Sequence, residues 1–256
     1  MFPRPALIAV QFLTRFPVCL TPAPAGREVG LALLWYPVIG LLLGALLWVA
    51  ALLLSAVPPP LAAAIVLVVW VSCTGALHLD GLADTADAWV GGRGDRERTL
   101  AIMKDPSSGP VGIAAVVCVL LLKFAALSAL RDVADPHSTG GLHLACGCIL
   151  PPVLARAAVP FLLAQTPYVR AQGIGAEIAQ YQSRPAGRWV TALTGVLVIL
   201  VCRFDGVLAL GGAGVVYLLM RRAFVRRVGG VTGDCAGAMI EVIEAVSLVA
   251  VTVSMP

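Results

Sequence analysis

Long apolar stretches, separated by shorter polar segments, dominate the pattern of the chain. A helix that crosses the hydrocarbon core of a membrane needs about 20 mostly apolar residues, and most of these stretches approach or exceed that length. None of them shows the alternation that is typical of a half-buried strand, so we interpret them as helices. The predicted spans are residues 29–57, 61–79, 110–130, 141–165, 189–202, 207–220 and 236–253.

The fold class that this pattern predicts is all-α. We expect a polytopic transmembrane helical bundle of about seven spans, built as a single integral membrane domain over residues 1–256. A shorter apolar segment lies between Arg4 and Arg15, before the first span. An interfacial or re-entrant N-terminal helix fits this segment better than a cleaved signal peptide does.

Composition agrees with a membrane protein and narrows the range of functions. Hydrophobic residues make up 59% of the chain and charged residues 12%, with a mean hydropathy of +0.94. A soluble domain has about twice that share of charge, so an ordinary soluble enzyme, a disordered chain and a nucleic-acid binder are all disfavoured. The seven cysteines form no CxxC pair, and neither a zinc site nor a disulfide framework is supported.

The basic residues indicate in which direction the helices run. With the polar segment 80–109 placed in the cytoplasm, fourteen basic residues fall on the cytoplasmic side and only Arg131 and Arg203 on the other. Cytoplasmic loops carry an excess of lysine and arginine, so we expect the polar segment 80–109 to face the cytoplasm. The fourteen are Arg4, Arg15, Arg27, Arg93, Arg96, Arg98, Lys104, Arg170, Arg184, Arg188, Arg221, Arg222, Arg226 and Arg227.

Six of the fourteen acidic residues lie between positions 80 and 105. Three of them, Asp80, Asp84 and Asp87, have the i, i+4, i+7 spacing that puts side chains on one face of a helix. Stacked carboxylates repel one another unless a positive group lies among them, and their oxygen atoms are the ligands that Mg²⁺ prefers. The alternative is a solvated amphipathic face, but the small and apolar residues between the acids and the adjoining apolar span favour a metal site.

A second acidic group begins the last predicted span. Asp234 and Glu241 are seven residues apart and therefore share one helix face, and they reach the same membrane boundary as the first group. Two helix ends that offer carboxylates to one point would hold one or two metal ions and a phosphate. The spacing leaves open whether the two groups meet, and an N-cap is the alternative role of Asp234.

Three basic residues lie close to these acids in the chain or inside the spans. Lys104 belongs to a loop with serine and glycine before a helix, which either cradles an anion or is only a connector. Arg156 lies inside an apolar span, where arginine is rare and normally faces a polar cavity; a structural ion pair is its alternative role. Lys123 also lies inside a span, and its side chain is long enough to reach the interface.

These segments resemble the cobalamin synthase family, the adenosylcobinamide-GDP ribazoletransferases. The similarity covers most of the chain, and its motifs follow one another in the order that the family has. The segments are 12–18 (FLTRFPV), 36–40 (YPVIG), 78–87 (HLDGLADTAD), 98–105 (RTLAIMKD) with Gly109 and Gly112, Lys123, 155–156 (AR), and 230–238 (GVTGDCAGA) with Glu241.

The resemblance implies a multi-pass enzyme of the bacterial inner membrane that needs Mg²⁺, and with the predicted orientation its active site faces the cytoplasm. It would join α-ribazole, or α-ribazole 5′-phosphate, to adenosylcobinamide-GDP and release GMP, in a late step of cobalamin (vitamin B12) biosynthesis. Besides these substrates the expected partner is the lipid bilayer, with no nucleic acid, and a homo-oligomer is left open. The expected site residues are Asp80, Asp84, Asp87 and Asp234 for the metal, Asp87 or Glu241 for the proton of the attacking hydroxyl, and Lys104, Arg156 and Arg15 for the substrate.

Two other functions fit part of the pattern. A CDP-alcohol phosphatidyltransferase also uses Asp-Gly and spaced aspartates, but it needs Ala-Arg soon afterwards, and here Asp80-Gly81 is followed by Leu-Ala-Asp-Thr. A transporter would place charge near the bilayer midplane and show repeated, interrupted helices. The acids here cluster at one membrane face and no repeat is visible, so only Arg156 favours a transporter.

Overall fold

The computed structural model describes residues 3–24, 26–132 and 139–254, and these residues form helices joined by short loops. No strand occurs among them, and one isolated bridge pairs Tyr168 with Val231. The predicted all-α class is confirmed. The helices are α1 (Arg4–Leu13), α2 (Arg27–Ala32), α3 (Tyr36–Leu53), α4 (Pro59–Thr74), α5 (Leu77–Gly91), α6 (Arg96–Ile102), α7 (Pro110–Asp132), α8 (Thr139–Gln165), α9 (Ile174–Tyr181), α10 (Arg184–Val228) and α11 (Gly233–Val253).

Most of the long helices have the length and composition of transmembrane spans. The segment Arg27–Leu53, in which a 3-10 turn joins α2 to α3, is long and apolar enough to cross a membrane, as are α7, α8, α10 and α11. The ten residues of α1 are too few to cross, and α1 packs against α2. The predicted multi-pass bundle with a short N-terminal helix is therefore confirmed.

α10 is folded into two antiparallel halves. Its backbone leaves the helical region at Arg203, where φ is +48°. A Cβ built on Gly206 would lie 2.5 Å from the carbonyl oxygen of Val198, and Leu210 lies beside Gly195. The segments on either side of the break thus pack against each other, and they correspond to the fifth and sixth predicted spans.

A sharp elbow separates α4 from α5. The two helix axes meet at 86°, because Gly75 and Ala76 both adopt left-handed φ values, +62° and +57°, which end the helical hydrogen-bond pattern of α4. The prediction of one span over residues 61–79 with a polar loop after it is wrong here, since α4 ends at Thr74. The acidic motif lies instead on a separate helix.

α5 crosses the N-terminal ends of α7 and α11. A Cβ built on Gly81 would lie 2.9 Å from the carbonyl oxygen of Asp234, and a Cβ built on Gly112 would lie 2.8 Å from that of Ala83. The helices therefore touch backbone to backbone at both crossings. α5 therefore lies at the end of the bundle where α7 and α11 begin, packed against both helices.

α8 is the central helix of the bundle, and 89% of the residues in its most apolar 18-residue stretch are buried. It packs against α3, α10 and α11. Gly40 and Gly44 of α3 face it, with the four-residue spacing of small residues that lets membrane helices approach closely. A Cβ built on Gly44 would lie 2.6 Å from the Cα of Ile149, so the contact leaves no room for a side chain.

We predict that Gly44→Ala lowers the midpoint of thermal unfolding in detergent, because the added methyl group forces α3 away from α8. Overpacking of this kind costs about 1–3 kcal/mol. Gly211→Ala on α10 is the control, since nothing lies within 4 Å of its Cβ position and alanine is the better helix former. Equal midpoints for the two variants would contradict the close contact between α3 and α8.

Because of the directions in which the helices run, most of the basic residues lie at one end of the bundle. At that end Arg221, in the second half of α10, donates a hydrogen bond to the carbonyl oxygen of Gln165 at the end of α8. At the other end Arg131 donates to the carbonyl oxygen of Leu54. This division agrees with the helix directions that the sequence predicts. Which end of the bundle faces the cytoplasm stays a prediction.

Candidate active site

α5 carries the acidic motif at the end of the bundle where α7 and α11 begin. Leu82 and Ala88 lie on its buried face. Asp80 is exposed, and Asp84 and Asp87 are partly exposed. The three acids therefore share one face of a helix, as their spacing predicts, and that face is open to the surface.

The contact between α5 and α11 brings Asp234 to the same place. Gly81 touches the backbone of Asp234, and a Cβ built on Gly237 would lie 3.4 Å from the Cα of His78. Asp80 and Asp234 both line one cavity. The two acidic groups of the sequence meet here, which their spacing alone left open.

Thr232 caps α11. Its hydroxyl oxygen accepts a hydrogen bond from the backbone N–H of Cys235, so the alternative role of Asp234 as the N-cap is wrong. The Asp234 carboxylate instead accepts from the guanidinium of Arg170, which also donates to the carbonyl oxygen of Met103. Sequence reasoning misses Arg170 as a site residue, because nothing in its local pattern relates it to an acid 64 positions away.

Asp87 is anchored to the start of α7. One of its carboxylate oxygens accepts from the N–H of Gly109 at 2.6 Å, and the other accepts from the N–H of Gly112 at 2.9 Å. A Cβ on either glycine would collide with this carboxylate. The predicted anion cradle is thus present, but the anion that it holds is the Asp87 side chain, and Lys104 lies exposed in the same loop.

The carboxylates of Asp80, Asp84, Asp87 and Asp234, which we call the acidic cluster, lie close enough to repel one another. Burial and, to a smaller extent, the neighbouring charges of Asp80 and Asp234 together raise the pKa of Asp84 to about 6, while Arg170 acts against them. A carboxylate pKa that is raised in this way marks a place where an added cation would be bound favourably.

The donor set of the cluster fits a hard cation. Asp80, Asp84, Asp87 and Asp234 offer only oxygen atoms, which Mg²⁺ prefers to nitrogen or sulfur. Among residues 3–24, 26–132 and 139–254, no three acid, histidine or cysteine side chains form a group that could hold a metal ion as they stand. Mg²⁺ binding would therefore need rotation of these side chains, and it stays a prediction.

A second charged group lies inside the bundle. The Lys123 ammonium donates to Glu241 at 2.6 Å and to Glu244 at 2.5 Å, and Arg156 pairs with the other carboxylate oxygen of Glu244. Arg156 and Glu244 are both 0% exposed. The Trp70 ring centroid lies 4.6 Å from the ammonium. We call these four charged residues the buried ion network.

The buried ion network bears on three expectations. Arg156 forms a structural ion pair, which was its alternative role. Lys123 does not reach the interface, because its ammonium is enclosed by two carboxylates. Glu241 is enclosed with Lys123 and does not line the cavity beside the acidic cluster. Glu244 has no role predicted from the sequence, although its position one helical turn after Glu241 places both on one face.

The cavity beside Asp80 and Asp234 has a volume of about 280 Å³. Arg15, which was expected to bind substrate, lies near it at the elbow. Its side chain packs across Gly75, and Leu13, two residues earlier, lines the cavity. The acidic cluster, Arg170 and this cavity together form a site at one end of the bundle.

Comparison with known proteins finds similarity along nearly the whole chain. A family model described as cobalamin-5-phosphate synthase matches residues 5–252. A relative from Ectopseudomonas mendocina (strain ymp), named adenosylcobinamide-GDP ribazoletransferase, is 49% identical over 249 residues, which cover 97% of this chain and 98% of the relative. A relative of the same name from Stutzerimonas stutzeri (strain A1501) is 50% identical over 245 residues, with 96% of each chain covered. No solved structure matches the chain.

Proposed function

Because the chain belongs to the cobalamin-5-phosphate synthase family, we propose that it transfers α-ribazole, or α-ribazole 5′-phosphate, to adenosylcobinamide-GDP. The products are adenosylcobalamin, or its 5′-phosphate, and GMP. The observation that carries the proposal is the junction of α5 and α11, where two acidic groups far apart in the sequence meet beside one cavity. Carboxylates gathered in this way suit the transfer of a phosphoryl group to a hydroxyl without a protein nucleophile.

In the proposed reaction the 3′-hydroxyl oxygen of the nucleoside attacks the phosphorus atom that is attached to cobinamide. The bond from that phosphorus to the bridging oxygen of the diphosphate breaks, and GMP leaves with the bridging oxygen. The hydroxyl proton passes to a carboxylate of the acidic cluster. Neither of the two acids expected in this role lines the cavity. Asp87 stays a candidate because it lies on the partly exposed face of α5, whereas Glu241 is enclosed with Lys123.

Asp80, Asp84, Asp87 and Asp234 are the residues that would hold Mg²⁺. When bound there, the ion supplies positive charge to the phosphate oxygens and to the leaving group. The support for this assignment is the closeness of the acids: burial, followed by the charges of Asp80 and Asp234, raises the pKa of Asp84 to about 6. The chain itself holds Asp87 in place through two backbone N–H groups of the α7 start.

The cations that we assign to the diphosphate are Arg170 and Lys104. Arg170 already pairs with Asp234, at the junction of the two acidic groups, and its second contact is the carbonyl oxygen of Met103. Lys104 follows Met103 directly and is exposed. Arg156, the cation expected here from the sequence, is held by Glu244 inside the bundle.

The proposed setting is the bacterial inner membrane, with the active site on the cytoplasmic side. The end of the bundle that carries α5 is also the end at which the predicted helix directions place fourteen of the basic residues. Such residues are typical of cytoplasmic loops. The charged diphosphate of the substrate fits an aqueous site at this end better than a site within the bilayer.

We expect the purified protein in lipid nanodiscs to release GMP and form the corrinoid product in equal amounts when it receives adenosylcobinamide-GDP, α-ribazole and Mg²⁺. Without α-ribazole, GMP release should stop, because the hydroxyl acceptor is missing. Chelation with EDTA should also stop the reaction, and added Mg²⁺ should restore it. The measurement is chromatography of nucleotide and corrinoid from one reaction.

Two results would contradict the proposal. Movement of the corrinoid across a vesicle membrane without release of GMP would identify a carrier. Transfer of a CDP-alcohol phosphate group, with no reaction of adenosylcobinamide-GDP, would favour the phosphatidyltransferase alternative.

A further inference from the structure

The cavity beside the acidic cluster has apolar walls and two carboxylates on one side. Asp80 and Asp234 belong to the side formed by α5 and α11. The remaining walls are mainly apolar side chains from the surrounding helices. They include Leu13 of α1, Tyr36 of α3, Val159 and Leu163 of α8, Ile178 of α9 and Ile240 of α11.

The size of the cavity discriminates between the two proposed substrates. Its volume of about 280 Å³ lies at the lower end of the range for small-ligand pockets, about 300–1,000 Å³. A bicyclic aromatic base with part of its ribose fills such a space. The corrin macrocycle of the other substrate is several times larger than the base, so it must lie outside the cavity.

The chemistry of the walls matches a flat, uncharged aromatic base. Such a ring gains free energy from burial against apolar and aromatic side chains, and Tyr36 and Tyr168 supply aromatic walls here. A base in the cavity would leave its ribose on the side of Asp80 and Asp234, where the hydroxyl has to meet the phosphate. A phospholipid acyl chain would fill the apolar part but would gain nothing from the carboxylates.

We propose that this cavity binds the aromatic base of the ribazole substrate, and that Val159 of α8 and Ile178 of α9 determine which bases it accepts. The inference rests on the proposed function and specifies which substrate enters the cavity. Val159 and Ile178 line the cavity from different helices and are only 5% and 7% exposed. Their size therefore limits the space that a base can occupy.

Val159→Phe tests this assignment, because the larger ring extends into the cavity. The KM for α-ribazole should rise about tenfold, while the KM for adenosylcobinamide-GDP stays unchanged. The base of α-ribazole is dimethylbenzimidazole. The KM for the nucleoside of unsubstituted benzimidazole, which lacks the two methyl groups, should rise less, so the variant should prefer the smaller base more than the wild type does. Ile178→Phe narrows the cavity from α9 and should act in the same direction. The measurement is steady-state kinetics in nanodiscs with both nucleosides.

Ala157→Val is the matched control on the same helix. Ala157 lines a separate apolar cavity of about 170 Å³ between α8 and α10, so this variant should keep the wild-type KM values and base preference. Failure of the wild type to form product from both α-ribazole and α-ribazole 5′-phosphate would contradict the proposed function itself. An active wild type, with both KM and base preference unchanged in Val159→Phe and Ile178→Phe, would overturn only the assignment of the cavity.

Discussion

Substitution of Asp84 by asparagine should lower the rate of corrinoid product formation about a hundredfold. Asp84 is the middle acid of the α5 face, one helical turn from Asp80 and from Asp87. Burial and the neighbouring negative charges raise its pKa to about 6. Asparagine keeps the size of the side chain and removes the charge that would hold Mg²⁺. The measurement is the initial rate in nanodiscs over a range of Mg²⁺ concentrations.

The stability of the same variant distinguishes a lost site from a lost fold. Asp84→Asn should unfold at a temperature no lower than the wild type does, because it relieves repulsion within the acidic cluster. Glu97→Gln is the matched control: it removes an exposed carboxylate of α6 at the same end of the bundle and should keep wild-type activity. Near-wild-type activity of Asp84→Asn at saturating Mg²⁺ would contradict the assignment of a metal to the cluster.

Glu244→Gln should destabilise the folded protein by about 3–5 kcal/mol. Glu244 accepts from both Lys123 and Arg156, so its neutralisation leaves Arg156 charged and buried without a carboxylate. The measurement is the shift of the thermal unfolding midpoint in nanodiscs at a fixed heating rate. Glu28→Gln is the control, because Glu28 pairs with Arg4 at the surface, where such pairs contribute about 0–1 kcal/mol. Equal shifts for the two variants would contradict the role of the buried ion network.

A second substitution separates the structural role of Arg156 from a role in binding substrate. Arg156→Met in the Glu244→Gln background removes the unpaired charge and should recover part of the lost stability. The double variant should keep the wild-type KM for adenosylcobinamide-GDP if Arg156 serves only the buried ion network. A raised KM would instead assign Arg156 to the diphosphate, as the resemblance to the family implies.

The features that depend on local spacing were predictable from the sequence. The spacing of Asp80, Asp84 and Asp87 places these acids on one helix face, and α5 carries them in that way. Two short apolar runs on either side of Arg203 predict the two halves of α10, which fold back on each other there. These patterns are local, because a helix repeats every 3.6 residues and a span has a fixed length.

Features that depend on contacts between distant segments were not predictable. Alanine rarely adopts a left-handed conformation, and nothing in the residues around Ala76 predicts one there. The elbow between α4 and α5 could therefore not be predicted from the sequence. The pairs Arg170–Asp234 and Arg156–Glu244 join residues that are 64 and 88 positions apart. An arginine inside an apolar run indicates that it has a partner but not which acid that partner is.

The central claim is that the acids of α5 and of the α11 start form one metal site. Fe²⁺ in place of Mg²⁺, with ascorbate and peroxide, produces radicals that cut the backbone only close to the bound ion. We predict cleavage in two segments, near residues 80–87 and 230–237, which excess Mg²⁺ suppresses and which Asp84→Asn abolishes. Cleavage in only one of these segments, or in neither, would contradict a shared site.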